Sequence, residues 1–234
     1  MRFQDYLHVA DIEAGRFAAA FAAVPADTPV PGCPGWTVGE LGEHVVGLSR
    51  GVRWYLESGN PAPPAPEDVG AWFPASPGPV GDELRAVQEG IRAAGPDAVC
   101  WTVWPAVSPA TFWARRHAHE LTVHRVDVEL AAGLPVSPIA AGFAADGVDE
   151  LLTYLTRPGG PLAGCAGDRL DIEVGDNGVR WSAHLPGGTG ECAISGPADQ
   201  LYLALWNRGG DVVVTGDPAV LDSWRTTARW TFGP

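Results

Sequence analysis

Basic side chains are scarce in this chain. Fifteen Lys and Arg stand against 28 Asp and Glu, a formal charge of −13. Such a balance argues against nucleic acid or an anionic membrane as partner. It leaves room for a small anionic substrate, which feels the field of a pocket and not that of the whole surface. Charged residues of both signs make up only 18% and hydrophobic residues 46%, so the chain is not disordered and can bury a core. Cysteines are few: Cys33, Cys100, Cys165 and Cys192 form no CxxC pair, and their spacing gives no disulfide framework. No apolar run approaches the roughly 18–20 residues of a membrane span. The opening MRFQDYLHVADIEAGRF carries acids early and no apolar stretch before a cleavage site, so no secretory signal is visible. The expected compartment is the cytoplasm, with thiols reduced.

What is present reads as two regions. With 234 residues, the chain has room for one large domain or two modest ones. Over residues 4–23, Tyr6, Leu7, Ile12, Phe17 and Phe21 recur at helical spacing. After the breaker PADTPVPGCPG, a second helix opens at Thr37, with Glu40 completing the capping box and Trp36 and Leu41 placed as a hydrophobic staple. Residues 59–81 read as a Pro/Gly loop. Residues 82–95 predict a third helix, and 112–133 a fourth that stops at Gly133 with Pro135 beyond. Residues 139–156 predict a fifth. A linker over 157–169 follows, and then the pattern changes. LDIEVGDNGVRWSAHL alternates around Asp176-Asn177-Gly178, a hairpin signal. GECAISG and DVVVTG read as further strands. PADQLYLALWNRG and DPAVLDSWRTTARW read as helices, each with Pro at its start. The expectation is an α+β protein: a helical domain over 1–156 and a small α/β domain over 170–234. No internal repeat or low-complexity tract is visible.

The fourth helix carries the densest chemistry. ARRHAHELTVHRVDVEL, residues 114–130, holds His117, His119, Glu120 and His124. At about 100° per residue, Glu120 and His124 share a face, with His117 in the same stripe, whereas His119 lies roughly 140° from His124. The HE dipeptide suggests a zincin, but that pattern needs two His four apart, and His119 and His124 are five apart. Two ligands on one helix do not complete a catalytic zinc site, which takes three plus an open position. His44, flanked by Leu41, Val45 and Leu48 on the second helix, should face the bundle interior and is the best third ligand. A bland reading stands beside this one. A His on an apolar face is often a satisfied core histidine, and a Glu/His pair four apart can be simple side-chain pairing.

Taken together, CPGWTVGELGEHVVGLSRG (33–51), RRHAHELTVHRVDVELAAG (115–133) and ISGPADQLYLALWNRGGDVVVTGDPAVLDSW (194–224) resemble the mycothiol-dependent maleylpyruvate isomerase family over most of the chain. The resemblance implies a DinB-like four-helix bundle followed by a small α/β C-terminal domain. It implies Zn2+ held by His44, Glu120 and His124, the three positions that the helix faces select. It also implies a catalytic Arg in the second domain: Arg208 of LWNRG, with Arg225 as the competing match. Its cofactors would be zinc and mycothiol. Its activity would be isomerisation or thiol S-transfer on a small electrophile such as an unsaturated dicarboxylate. The implied partners are that substrate and the thiol cofactor, not nucleic acid or membrane, in a monomer or homodimer. The fold does not fix the substrate. Two other readings remain: a hydrolase with zinc-activated water, and a bundle that binds a ligand without catalysis. Around these residues, Trp36 is expected to staple its helix and Cys33 to be structural. His117 and Asp127 are either partners that orient ligands or ordinary surface residues. Arg115, Arg116 and Arg125 are expected to pair with nearby acids.

Overall fold

A computed structural model describes residues 1–73, 78–175 and 178–227. The chain divides into two compact units, Met1–Ser137 and Pro138–Pro234. The first holds α1 (Phe3–Ala22), α2 (Val38–Ser58), α3 (Pro66–Trp72), α4 (Val80–Ala94) and α5 (Pro109–Ala131). The second holds α6 (Ala141–Thr156), β1 (Arg169–Val174), β2 (Arg180–His184), β3 (Glu191–Gly196), α7 (Ala198–Leu205), β4 (Val213–Gly216) and α8 (Pro218–Thr227). The fold is α+β, with an all-helical first part. Among the described residues, no helix is long and apolar enough to cross a membrane.

In the first unit, α1, α2, α4 and α5 form a four-helix bundle in which α5 packs against α1 and α2, and α4 against the same two from the other side. The helix starts follow local chemistry. The Thr37 hydroxyl accepts the Glu40 N–H at 3.3 Å, and the Glu40 carboxylate accepts the Thr37 N–H at 2.8 Å, the reciprocal cap written in the sequence. Ser108 caps α5, with Pro109 at its first position. Phe17, Leu41, Leu84, Ile91 and Leu121 are fully buried and form the apolar centre.

Two features of α5 and its surroundings go beyond an amphipathic pattern. Arg125 is fully buried, and its guanidinium donates to Glu13 of α1 and to Glu129, both at 2.7 Å. Glu129 also accepts the Ser137 N–H and hydroxyl at 2.9 and 2.6 Å. In addition, the stretch 59–81, read from the sequence as loop, contains the two-turn helix α3, and α4 begins at Val80. Pro66 at the start of α3 lacks the N–H that would be orphaned there. The Asp68 carboxylate accepts the Ala65 N–H at 3.1 Å. Trp72 is buried and meets Tyr55 edge-on, with ring centroids 5.3 Å apart. Gly51 on α2 makes room for it, since a Cβ there would sit 2.8 Å from the Trp72 ring.

In the second unit the strands lie in the order β2-β1-β3-β4. β1 runs parallel to β3 and antiparallel to β2, and β3 runs antiparallel to β4. Leu170, Ile172 and Val174 alternate inward on β1, as do Cys192 and Ile194 on β3. α7 and α8 pack against these two strands, and α6 packs against α7 and β2. β1 and β2 pair as the hairpin signal predicts, in the register Arg169 to His184. Asp176 and Asn177, read from the sequence as the turn, and residues 228–230, read as the end of the last helix, lie outside the described residues.

Candidate metal centre

His44, Glu120 and His124 come together inside the first unit. The capped start of α2 fixes the phase of that helix, and its buried face carries His44 two turns in, beside Leu41 and Val45. Trp36, placed by the turn before α2, lies edge-on to the His44 imidazole at 4.8 Å between ring centroids. It therefore packs against His44, a contact the staple reading did not anticipate. Glu120 and His124 project from α5 toward α2. The His44 and His124 rings meet at 5.1 Å and 86°. Glu120 Oε2 lies 3.1 Å from His124 Nε2. One donor atom from each of the three falls within 4.8 Å of the others. Glu120 and His124 also line a small pocket with Val45, Leu48, Ser49, Val52, His117 and Leu121.

The protonation states of His44 and Glu120 suit a cation, whereas that of His124 makes a proton compete with it. Burial pushes the His44 imidazole down to about 4, reinforced by charge on His124 and only partly opposed by Glu120 and Asp127. His44 is therefore neutral near pH 7, with a lone pair to offer. Burial works against ionisation of Glu120, but Arg116 and the two imidazoles outweigh it and hold the carboxyl well below its usual range. Arg116 Nε stands 3.5 Å from Glu120 Oε1. Burial would also lower His124, yet hydrogen bonds with Asp127, Cys33 and Glu120 raise it well above the usual histidine value. Its ring bonds Asp127 Oδ2 through Nδ1 at 2.9 Å.

The donor set fits a zinc-like ion. Two imidazoles and a carboxylate are borderline ligands of the kind Zn2+ takes, with one position left open. Tetrahedral bonds of about 2.0–2.1 Å put donors about 3.3 Å apart. The Glu120 and His124 donors, at 3.1 Å, already stand at that separation.

The other residues singled out by sequence fall in different places. His117 is buried in the same pocket, bonded to Gln88 at 3.4 Å, and burial lowers it to about 4. His119 is fully buried but does not line that pocket. Asp127 is fully buried and touches His124, so it is not a surface residue. Cys33, expected to be structural, reaches Asp127 Oδ2 with its Sγ at 3.4 Å. Cys33, His124 and Asp127 form a second cluster of ligand-type atoms within 4.8 Å. No local pattern signals that contact, because Cys33 and Asp127 are 94 residues apart. Arg208 lies in the second unit just beyond α7, after Asn207 at φ 60°, and donates to the Trp206 carbonyl at 2.6 Å. Arg225 sits exposed on α8, paired with Asp222 at 2.8 Å.

A family model described as the mycothiol maleylpyruvate isomerase N-terminal domain matches residues 7–129. A second, described as the MDMPI C-terminal domain, matches residues 142–223. No curated protein matches the chain. Among solved structures, a mycothiol-dependent maleylpyruvate isomerase is similar with a TM-score of 0.69 and 18% identity, over 92% of this chain and 93% of that one. A histidine-to-alanine mutant of a mycothiol-dependent maleylpyruvate isomerase is similar with a TM-score of 0.70 and 17% identity, over the same shares. At these identities the likeness is one of fold. The two family models together span both units, and the chain belongs to the mycothiol maleylpyruvate isomerase family, a family of enzymes.

Proposed function

We propose that the protein is a zinc-dependent enzyme that uses mycothiol to isomerise, or to transfer a thiol onto, a small electrophile such as an unsaturated dicarboxylate like maleylpyruvate. The observation that carries this reading is the convergence of one donor atom each from His44, Glu120 and His124 within 4.8 Å of one another, in a chain of this family. When bound there, the ion would hold a thiol as thiolate at neutral pH, the nucleophile that addition and elimination across a double bond require.

The chain's own side chains have separable tasks. His44, Glu120 and His124 are the proposed ligands, supplying two neutral donors and one anion once His124 has lost its proton. Arg116, 3.5 Å from Glu120, keeps the Glu120 carboxylate ionised. Val45, Leu48, Val52 and Leu121 line the pocket and keep water from a reactive sulfur. Arg208 is the proposed partner for a substrate or cofactor carboxylate, because a guanidinium forks onto carboxylate oxygens. Arg225 is the weaker choice, its charge already countered by Asp222.

Elemental analysis tests the metal, and a coupled assay tests the chemistry. Wild type purified without chelators is expected to carry about one zinc per chain, and His124→Ala to carry none. Turnover of maleylpyruvate is expected to require added mycothiol. Zinc retained in His124→Ala overturns the ligand assignment, and thiol-independent hydrolysis of an ester by the zinc form overturns the thiol chemistry.

A further inference from the structure

The buried face of α5 continues past the three proposed ligands. From Glu120 Oε2 the chain of polar contacts runs to His124 Nε2 at 3.1 Å. It crosses the ring to Nδ1, reaches Asp127 Oδ2 at 2.9 Å, and ends at Cys33 Sγ, 3.4 Å from the same oxygen. Asp127 is fully buried, and Cys33 is half-buried in the turn that leads into α2. Cys33 thus joins that turn to α5 through one carboxylate oxygen.

We propose that Asp127 is a positioning residue for His124, and that the Cys33 thiol holds Asp127 in place. This role rests on the metal reading above. A neutral imidazole carries one N–H and one lone pair, and which nitrogen carries which is set by the bond the other makes. An ionised carboxylate only accepts. Asp127 therefore draws the proton to Nδ1 and leaves the Nε2 lone pair aimed toward Glu120 and His44. The Cys33 S–H donates to Oδ2 and limits rotation of the carboxylate. A carboxylate behind a ligating histidine fixes ring orientation and raises ligand basicity, and its loss costs about 10–100-fold in metal affinity. The Cys33 position makes the turn before α2 part of the same device. That turn also positions Trp36 against His44, so one short segment steadies both proposed histidine ligands.

The test is zinc affinity by chelator competition on wild type, Asp127→Asn, Cys33→Ser and Cys33→Ala. Nitrogen-15 histidine NMR of the zinc-loaded and metal-free proteins accompanies it. Asp127→Asn is expected to weaken zinc binding about 10–100-fold, and to lower the melting point of the metal-free protein as well, because it removes the buried partner of the charged His124 ring. Cys33→Ala is expected to weaken it by a smaller factor, and Cys33→Ser, which keeps a donor, to stay near wild type. In zinc-loaded wild type the His124 ring should carry its proton on Nδ1 and the ion on Nε2. Should Asp127→Asn fail to fold, the NMR assignment and the half-buried Cys33 variants still decide. Metal bound through Nδ1, or wild-type zinc affinity in both Asp127→Asn and Cys33→Ala, overturns the proposal. Loss of zinc in a His44→Ala control beside an unchanged Asp127→Asn would leave the metal site standing and sink only this inference. Failure of wild type to bind zinc would sink the site itself.

Discussion

A histidine that binds a metal ion must first release its proton, and His124 holds its proton firmly. Its raised pKa comes from Asp127, Cys33 and Glu120 outweighing burial. In the metal-free protein His124 is therefore charged at pH 7, whereas His44, lowered to about 4, is neutral, and Glu120 is ionised. Only one of the three ligands changes protonation when an ion enters. As pH rises toward the metal-free pKa of His124, proton competition weakens and apparent affinity climbs, by about tenfold per pH unit. His44 adds nothing to that slope above about pH 5. Calorimetric titration with zinc at pH 7, in buffers of different ionisation enthalpy, should report about one proton released per ion. Release of about two would mean that His44 is also protonated, and release of none that His124 is neutral before the ion enters or is not a ligand. The clustering of these residues is legible in the sequence because a helix repeats its face every three to four residues. The Cys33–Asp127 contact is not legible, because it depends on how a loop folds back across 94 residues. The contact of Trp36 is also hidden, since the staple pattern pairs it with Leu41 and not with the His44 ring it lies against.

Elements are held by a different set of charges. α1 and α5 meet around Arg125, which is fully buried between Glu13 and Glu129. Such a group contributes little net stability compared with apolar residues of similar size, but removing one member leaves uncompensated charge in the core. Arg125→Ala strands two buried carboxylates. It is expected to destabilise the first unit by about 3–5 kcal/mol, read as a lowered urea midpoint with the slope unchanged. Arg125→Met together with Glu13→Gln and Glu129→Gln should recover much of that loss. If Arg125→Ala alone melts like wild type, the triad is not the clamp between α1 and α5. At this scale the sequence is most readable where side chains cap backbone. The Thr37–Glu40 box and Gly133 at φ 65° mark the ends of α2 and α5 where expected. α3 was hidden by its own composition, since Pro66 and Gly70 read as loop signals. Its stability comes from the burial of Trp72 against Tyr55, a tertiary term that outweighs local propensity.

At the scale of the molecule, an ion in the proposed centre would act as a crosslink. His44 and the Glu120–His124 pair lie far apart in the sequence, on α2 and α5, and the unfolded chain has no preformed site for them. Binding to the folded form alone stabilises it by RT ln(1 + [L]/Kd), about 4 kcal/mol when the free ion is a thousandfold above Kd. The gain should concentrate where the ligands sit. Hydrogen exchange by mass spectrometry, with and without zinc, should show slowed exchange in peptides from α2 and α5 of the wild type. The same peptides in His44→Ala should not respond. The net charge of −13 sharpens the control, because an acidic surface also attracts divalent cations loosely. Magnesium at millimolar concentration reproduces that general screening but binds imidazole ligands poorly. Protection of α2 and α5 by zinc and not by magnesium separates a built site from a charged surface. Equal protection by both ions would reduce His44, Glu120 and His124 to an ordinary buried polar cluster.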